Sequence, residues 1–354
     1  MAVRNSAMEG LEVGSMNILL TGSDGYIGVQ MGQVLSAANY SVTGLDTGYY
    51  SDGWLYGTPV SLASFIKKDI REVTVQDVRG FDAVIHLAEL SNDPLGQNDP
   101  DLTYEINHKG TVKLIDACIA AGVSRFMYSS SCSVYGASDE VSDEKSPTNP
   151  LTAYAKSKVL NEHYLLLKAS DTFTPVILRN ATIYGPSPRM RFDLAVNNLA
   201  GLAWTTNEVK MDSDGTPWRP FVHILDVCEA FRLALTAQKE KISGQIINVG
   251  DTRSNYQIKE IAEIIGKVFG VERITLNKLG ADKRNYRVNF DKIRQILPEF
   301  SCKRNVEVGA KDLLDVFRSI DMTKDTYYSR NFTRLKMIDF LKSSGKINSQ
   351  LQWI

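Results

Sequence analysis

A doubly wound parallel α/β sheet with a smaller, interleaved C-terminal lobe is the fold this sequence predicts. Two observations carry it. Short apolar runs alternate with helical patterns from residue 17 to residue 178, and strands that alternate with helices pair in parallel through crossover connections. Beyond Arg179 the rhythm breaks into loops, turn chemistry and separate helices, with one apolar run at Gln245–Val249. That run reads as a strand returning to the first sheet.

The first strand, Asn17-Ile-Leu-Leu-Thr21, enters a turn with glycines at 22, 25 and 28, and a helix follows over roughly 26–38. A buried strand feeding a helix through a Gly-rich turn is the phosphate-cradling start of a dinucleotide-binding βαβ unit, so the first domain is of Rossmann type. Gly22 permits the tight turn. Gly25 lets backbone N–H groups approach a pyrophosphate, and Gly28 lets the helix pack closely on the strand. Tyr26 and Ile27, at the helix start, are counted with them as cofactor contacts. The helix N-terminus adds orphan N–H donors and a partial positive charge.

Tyr40–Asp46 is a second strand, ending in an acid. Asp46 lies ~20 residues beyond the glycines, where an acid meets the hydroxyls of the adenine ribose. A solvated strand-end carboxylate is the competing reading. No Arg or Lys follows before Lys67, and a carboxylate repels a ribose 2′-phosphate, so NAD is expected rather than NADP.

Ser64–Asp69 reads as the third strand and 73–78 as a short helix. Asp82–Ala88 is the fourth strand, apolar throughout, as a strand covered on both faces should be. A loop at 91–100 precedes a long amphipathic helix, roughly 101–121; Arg125–Ser129 is the fifth strand, 151–168 a helix and Thr174–Leu178 the sixth strand. Helices are expected over 193–204, 226–237, 256–269, 308–319 and 331–343. The resulting division is a nucleotide-binding domain over 16–180, rejoined by 225–250, and a substrate-binding lobe made of 181–224 and 251–354. Residues 1–15 are polar without an apolar h-region, hence a disordered tail rather than a signal peptide.

A formal net charge of −1 gives no general attraction for nucleic acid or an anionic membrane, so an anionic ligand must be held by local donors. The four cysteines (118, 132, 228, 302) form no CxxC or Cys/His cluster. They point to a reduced, cytoplasmic protein without a metal site. No apolar run reaches the ~20 residues that span a bilayer.

Two further stretches carry chemistry. Tyr128-Ser-Ser-Ser-Cys-Ser-Val-Tyr-Gly136 directly follows the fifth strand, and Tyr154-Ala-Lys-Ser-Lys158 opens the next helix. Tyr154 and Lys158, four apart, share one helix face. Ligands of open parallel sheets bind outside the strands' C-terminal ends, where the serine cluster lies. A free phenol has a pKa of ~10, too high for a base at neutral pH. The Lys158 ammonium and an oxidised nicotinamide both favour phenolate.

The chain resembles the extended short-chain dehydrogenases/reductases, within the NAD-dependent nucleotide-sugar epimerase/dehydratase family. The matching motifs run in the family's order from about 17 to 291: Thr-Gly-x-x-Gly-x-x-Gly, Asp46, Asp69-Ile70, His86-Leu87-Ala88, Asn107, Ser-Ser-Ser-x-x-Val-Tyr-Gly, Tyr-x-x-x-Lys, and Arg219…His223…Asp226. The resemblance implies Tyr154 as general base, Lys158 as ligand of the nicotinamide ribose, and Ser131 as partner of the reacting sugar hydroxyl. It puts Asp69 and Ile70 beside adenine, adds Leu87, Ala88 and Ser129 to the cofactor contacts, and makes Asn107 a support of the site. A diphosphate falls to Arg219, with Arg284 a second candidate that reads equally as a surface ion pair. Asn198 aligns at the nucleotide-sugar phosphate. The family's Leu-Arg-x-x-Asn-x-Tyr-Gly is altered here, with Thr182 in place of that Asn and an Asn at 180. Both are carried as substrate contacts. The helices at 101–121 and 151–168 resemble the family's four-helix dimer interface, so a homodimer is implied.

Among reactions, a 4,6-dehydratase of the family has an Asp-Glu pair where Cys132 and Ser133 stand here. Neither can act as a carboxyl acid, which disfavours dehydration. Epimerisation needs only the parts present: transient oxidation of a nucleotide-diphosphate sugar, at C4 by preference, and return of the hydride to the opposite face. A nucleotide-sugar reductase and a non-catalytic NAD-sensing protein are the alternatives; loss of Tyr or Lys would mark the second, and both are present.

Overall fold

The computed structural model describes residues 16–59, 62–91, 99–276 and 284–354. The expected tail at 1–15 and most of the expected loop at 91–100 lie outside them. The main sheet has seven parallel strands: β1 (Asn17–Thr21), β2 (Ser41–Asp46), β3 (Ser64–Lys67), β4 (Ala83–His86), β5 (Arg125–Ser131), β6 (Thr174–Asn180) and β7 (Gln245–Val249). Their spatial order is β7-β6-β5-β4-β1-β2-β3. Gln245–Val249 does return, pairing with β6 in parallel register from Gln245 against Val176. The order reverses beside β1, and the crevice at such a switch point is where ligands bind.

The two-residue period of β1 divides the core. Ile18 and Leu20 face one apolar layer with Met31 and Leu35 of the helix Tyr26–Ala37, and with Val227, Phe231 and Leu235 of Ile224–Thr236. Leu19 faces the other layer, with Leu114 and Ile115 of Thr111–Ala121 and Leu165 of Ala153–Lys168. A strand buried on both faces needs no polar alternation, which is why these strands read as continuous apolar runs.

The expected helix at 101–121 is not uniform: Pro100–Tyr104 is α-helical, Glu105–Gly110 is a π-helical turn, and Thr111–Ala121 is α-helical again. The lobe has a core of its own, built on Leu199, Phe221, Ile265, Leu313 and Phe317. It holds short strands that carry no sequence pattern, among them Thr182–Tyr184 and Trp218–His223, which pair in parallel.

The C-terminal segment sits on the nucleotide-binding sheet. Met337, Ile338, Leu341, Ile347 and Leu351 share the layer of Leu19 and Val84. The Trp353 indole N–H donates to the Thr47 carbonyl at 2.8 Å. The chain's end, read from sequence as part of the substrate lobe, thus packs beside β2.

Candidate functional site

One cleft runs along the C-terminal ends of β1, β2, β4, β5 and β6. At its floor is the glycine turn. Gly22 has φ +73°, and a Cβ there would meet the Ala88 backbone nitrogen at 2.8 Å. A Cβ on Gly28 would come within 2.1 Å of the Gly22 carbonyl oxygen. The helix Tyr26–Ala37 has Gly25 at its N-cap, no side-chain cap and no acid in its first turn. Its first N–H groups are therefore left for an anion. Gly25, Tyr26, Ile27 and Gly28 all line the cleft.

Asp46 lines it at the end of β2. Its two carboxylate oxygens accept the backbone N–H groups of Gly48 at 2.8 Å and Asp24 at 3.1 Å. Burial pushes its pKa upward. Asp69, Ile70, Leu87 and Ala88 line the cleft as well. The Asp69 carboxylate is engaged by Arg71, whose Nη2 donates to it at 2.6 Å.

At the other end stand Ser129, Ser131, Tyr154 and Lys158. Thr152 caps the helix Ala153–Lys168 through the Ala155 N–H at 3.1 Å, which sets Tyr154 in the first turn. The Lys158 ammonium lies 5.3 Å from the centre of the Tyr154 ring. It donates to the Ser129 carbonyl. Its ion partner is Glu89, at 2.8 Å, with both side chains almost wholly buried (5% and 2% exposed). Burial works against this charge, yet Glu89 and the Tyr154 phenol outweigh it, and the ammonium's pKa is raised. Glu89 also accepts from the Tyr128 hydroxyl at 2.7 Å. The sequence reading stopped at Ala88 and missed this carboxylate one residue on; its only signal was an acid directly after an apolar strand.

The sheet end is held by a buried pair. Arg179 of β6 donates to Glu162 through Nε at 2.9 Å and Nη2 at 2.6 Å. The Ser130 hydroxyl donates to the same carboxylate. This clamps the Tyr154 helix to β5 and β6. The side chains are 4% and 1% exposed, and removing one partner of such a pair strands the other charge. Glu162→Ala is expected to lower unfolding free energy by about 3–5 kcal/mol. Urea denaturation followed by far-UV circular dichroism checks this; a loss within error of zero would show that Arg179 finds another partner.

The remaining expected residues divide. Asn180, Thr182 and Arg284 line the cleft. Asn180 donates to the Ser129 hydroxyl at 3.0 Å, and its own carbonyl oxygen is buried without a hydrogen-bond partner. Ser131 accepts the Ser133 N–H at 3.1 Å, capping the short turn Cys132–Tyr135. Three residues are not on the cleft wall. Asn107, in the π-helical turn, accepts the Leu90 N–H at 2.8 Å and donates to the Leu90 carbonyl at 3.1 Å, bracing the strand-end loop that carries Glu89. Asn198 accepts the Tyr327 hydroxyl at 2.6 Å. Arg219 is buried behind Tyr286, 5.4 Å from that ring's centre, and Tyr286 is what faces the cleft.

A Gly-rich turn that no side chain could replace, an uncapped helix start and an acid at the end of β2 fit a dinucleotide. A Tyr and a Lys one helical turn apart, beside serines at a strand end, fit oxidoreduction of an alcohol. The chain belongs to the NAD dependent epimerase/dehydratase family, whose model matches residues 18–250. NAD is its cofactor.

Relatives agree on the class. The UDP-glucuronate 4-epimerase of Thermodesulfobacterium geofontis is 26% identical over 329 residues, covering 85% of this chain and 98% of its own. The crystal structure of UDP-glucuronic acid 4-epimerase from Bacillus cereus, in complex with UDP-glucuronic acid and NAD, superposes with a TM-score of 0.74 at 26% identity, covering 86% of this chain and all of that one. An NAD dependent NDP-hexosamine 5,6-dehydratase involved in tunicamycin biosynthesis superposes with a TM-score of 0.78 at 25% identity, covering 87% and 100%. Among the described residues no helix is long and apolar enough to cross a membrane.

Proposed function

We propose that this protein is an NAD-dependent nucleotide-sugar epimerase that inverts C4 of a nucleotide-diphosphate hexose or related sugar. The observation that carries the reading is the placement of Ser131, Tyr154 and Lys158 in the same cleft as the glycine turn and Asp46. NAD, when bound, supplies the reversible oxidation of the sugar carbon. Tyr154 takes the proton of the reacting hydroxyl and gives it back. Lys158 keeps a positive charge beside the phenol and favours phenolate. Ser131 holds the hydroxyl in line, and Asn180 and Thr182 meet the sugar from β6 and the strand after it. Arg284, with Arg219 behind Tyr286, shapes the diphosphate end.

The two positions where the family's 4,6-dehydratases carry Asp and Glu hold no acid here, which disfavours that dehydration. The Cys132 thiol donates to the Arg179 carbonyl at 3.3 Å, away from the cleft, and burial pushes its pKa far up. The relatives named for epimerisation, one solved with a UDP-sugar and NAD, support the same reading. The test is proton NMR of the protein with UDP-, GDP-, CDP- and dTDP-sugars and no added reductant. A second anomeric signal growing to equilibrium from one donor is the expected result. A 4-keto-6-deoxy or unsaturated product would overturn it in favour of a dehydratase, and turnover only with NAD(P)H and a keto sugar in favour of a reductase.

A homodimer completes the proposal. Tyr104, Ile119, Leu160, Leu166 and Leu167 are exposed on the two helices expected at the interface, Leu167 at 83%. Sedimentation equilibrium is expected to give twice the chain mass, and a monomer at micromolar concentration would reject it. A cytoplasmic location is supported by four free cysteines; a disulfide in protein isolated from its native host under thiol-blocking conditions would count against it.

A further inference from the structure

Arg334 opens the C-terminal helix Arg334–Ser343 and is 5% exposed. It lines the cofactor cleft together with Tyr50 and Asp46. Its guanidinium lies 3.8 Å over the centre of the Tyr50 ring. Among the described residues, no hydrogen bond or ion pair meets this guanidinium. Asp193 and Asp46 are near enough to act on its charge, but Asp193 is paired with Arg191 and both Asp46 oxygens already accept backbone N–H groups. The neighbouring guanidinium, Arg191, is spent on Asp193, with Nε and Nη2 each at 3.0 Å. Burial pulls the pKa of Arg334 down to about 10. A buried guanidinium held by a ring face and by carboxylates at a distance, with no direct hydrogen bond or ion pair, is costly unless a ligand brings the anion.

We propose that Arg334 is an anion-binding residue of the cofactor site, donating to a phosphate oxygen of the dinucleotide's pyrophosphate. The C-terminal segment thereby completes a site that the glycine turn begins. A guanidinium matches phosphate through paired, charge-assisted bonds. The pyrophosphate is favoured over a ribose 2′-phosphate because the Asp46 carboxylate stands at the same end of the cleft. It is favoured over the substrate diphosphate because Tyr50 and Asp46 follow or end β2, the strand edge remote from Arg284 and Tyr286. The proposal rests on the NAD assignment.

The test is calorimetric titration of the full-length protein, freed of copurified nucleotide, with NAD+, ADP-ribose, NADP+ and UDP. Arg334→Ala is expected to weaken NAD+ and ADP-ribose about 10- to 100-fold and to leave UDP unchanged. Arg334→Lys, which keeps a charge without the fork, should recover part of the loss. Unchanged NAD+ affinity in Arg334→Ala would overturn the proposal. So would loss confined to NADP+, which would assign a 2′-phosphate, or loss confined to UDP, which would assign the substrate diphosphate. If Arg334→Ala fails to fold, Arg334→Gln with an unaltered urea midpoint carries the same comparison. Wild-type protein that binds no NAD+ would instead reject the cofactor reading itself.

Discussion

Tyr154→Phe is expected to slow epimerisation by about 10²- to 10⁴-fold, the range a positioned general base supplies, while NAD+ affinity changes little. The phenol hydroxyl is the only atom removed, and the ring stays packed beside the Lys158 ammonium. The helix is unaffected, since Thr152 caps it and Glu162 ties it to Arg179. The loss should therefore appear in kcat, read from the anomeric signals, without loss of stability. Retention of more than about a tenth of the wild-type rate would move the base elsewhere. Glu89 would then be the group to examine, since it is the carboxylate nearest the ammonium.

The second large effect is on stability at acid pH. His86 is fully enclosed, its Nδ1 and Nε2 hydrogen-bonded to the hydroxyls of Thr21 at 2.7 Å and Thr111 at 2.8 Å. His223 is equally buried and caps a helix by accepting the Leu225 N–H at 3.2 Å. Burial first, then Lys158 for His86 and Arg304 for His223, lowers both pKa values from 6.5 to about 3. The folded state therefore binds fewer protons than the unfolded chain between pH 6.5 and about 3, and stability falls as pH falls through that window. The two together should remove about 3–4 kcal/mol between pH 6 and pH 4.5. Urea midpoints at the two pH values measure it. In His86→Asn/His223→Asn most of the pH dependence should vanish, and a double variant as acid-sensitive as the wild type would assign the effect to carboxylates instead.

Much of the site was legible because its parts are local. The glycine turn, Asp46 at a strand end and Tyr154 four residues before Lys158 are each written within a few positions, and all reach the cleft. The strand ends were read short: Ser131 and Asn180 close β5 and β6, two residues beyond the apolar runs, because polar residues at a site break the pattern that marks a strand. Asn107, Asn198 and Arg219 keep their places in the motif order yet do not line the cleft. Order along the chain does not say whether a side chain meets a ligand or braces the residue that does.

The sequence by itself determined the fold class, the dinucleotide turn and the Tyr–Lys pair. Helical and strand periods, glycine positions and one-turn spacings are properties of neighbouring residues. The tertiary structure alone decided that Glu89 pairs with Lys158, that Glu162 clamps Arg179, and that the C-terminal helix brings Arg334 to the cleft. Each of these joins residues of different elements, through charges whose sequence setting is indistinguishable from that of a solvated surface. Only burial in a common space separates the two, and burial is set by how the layers pack.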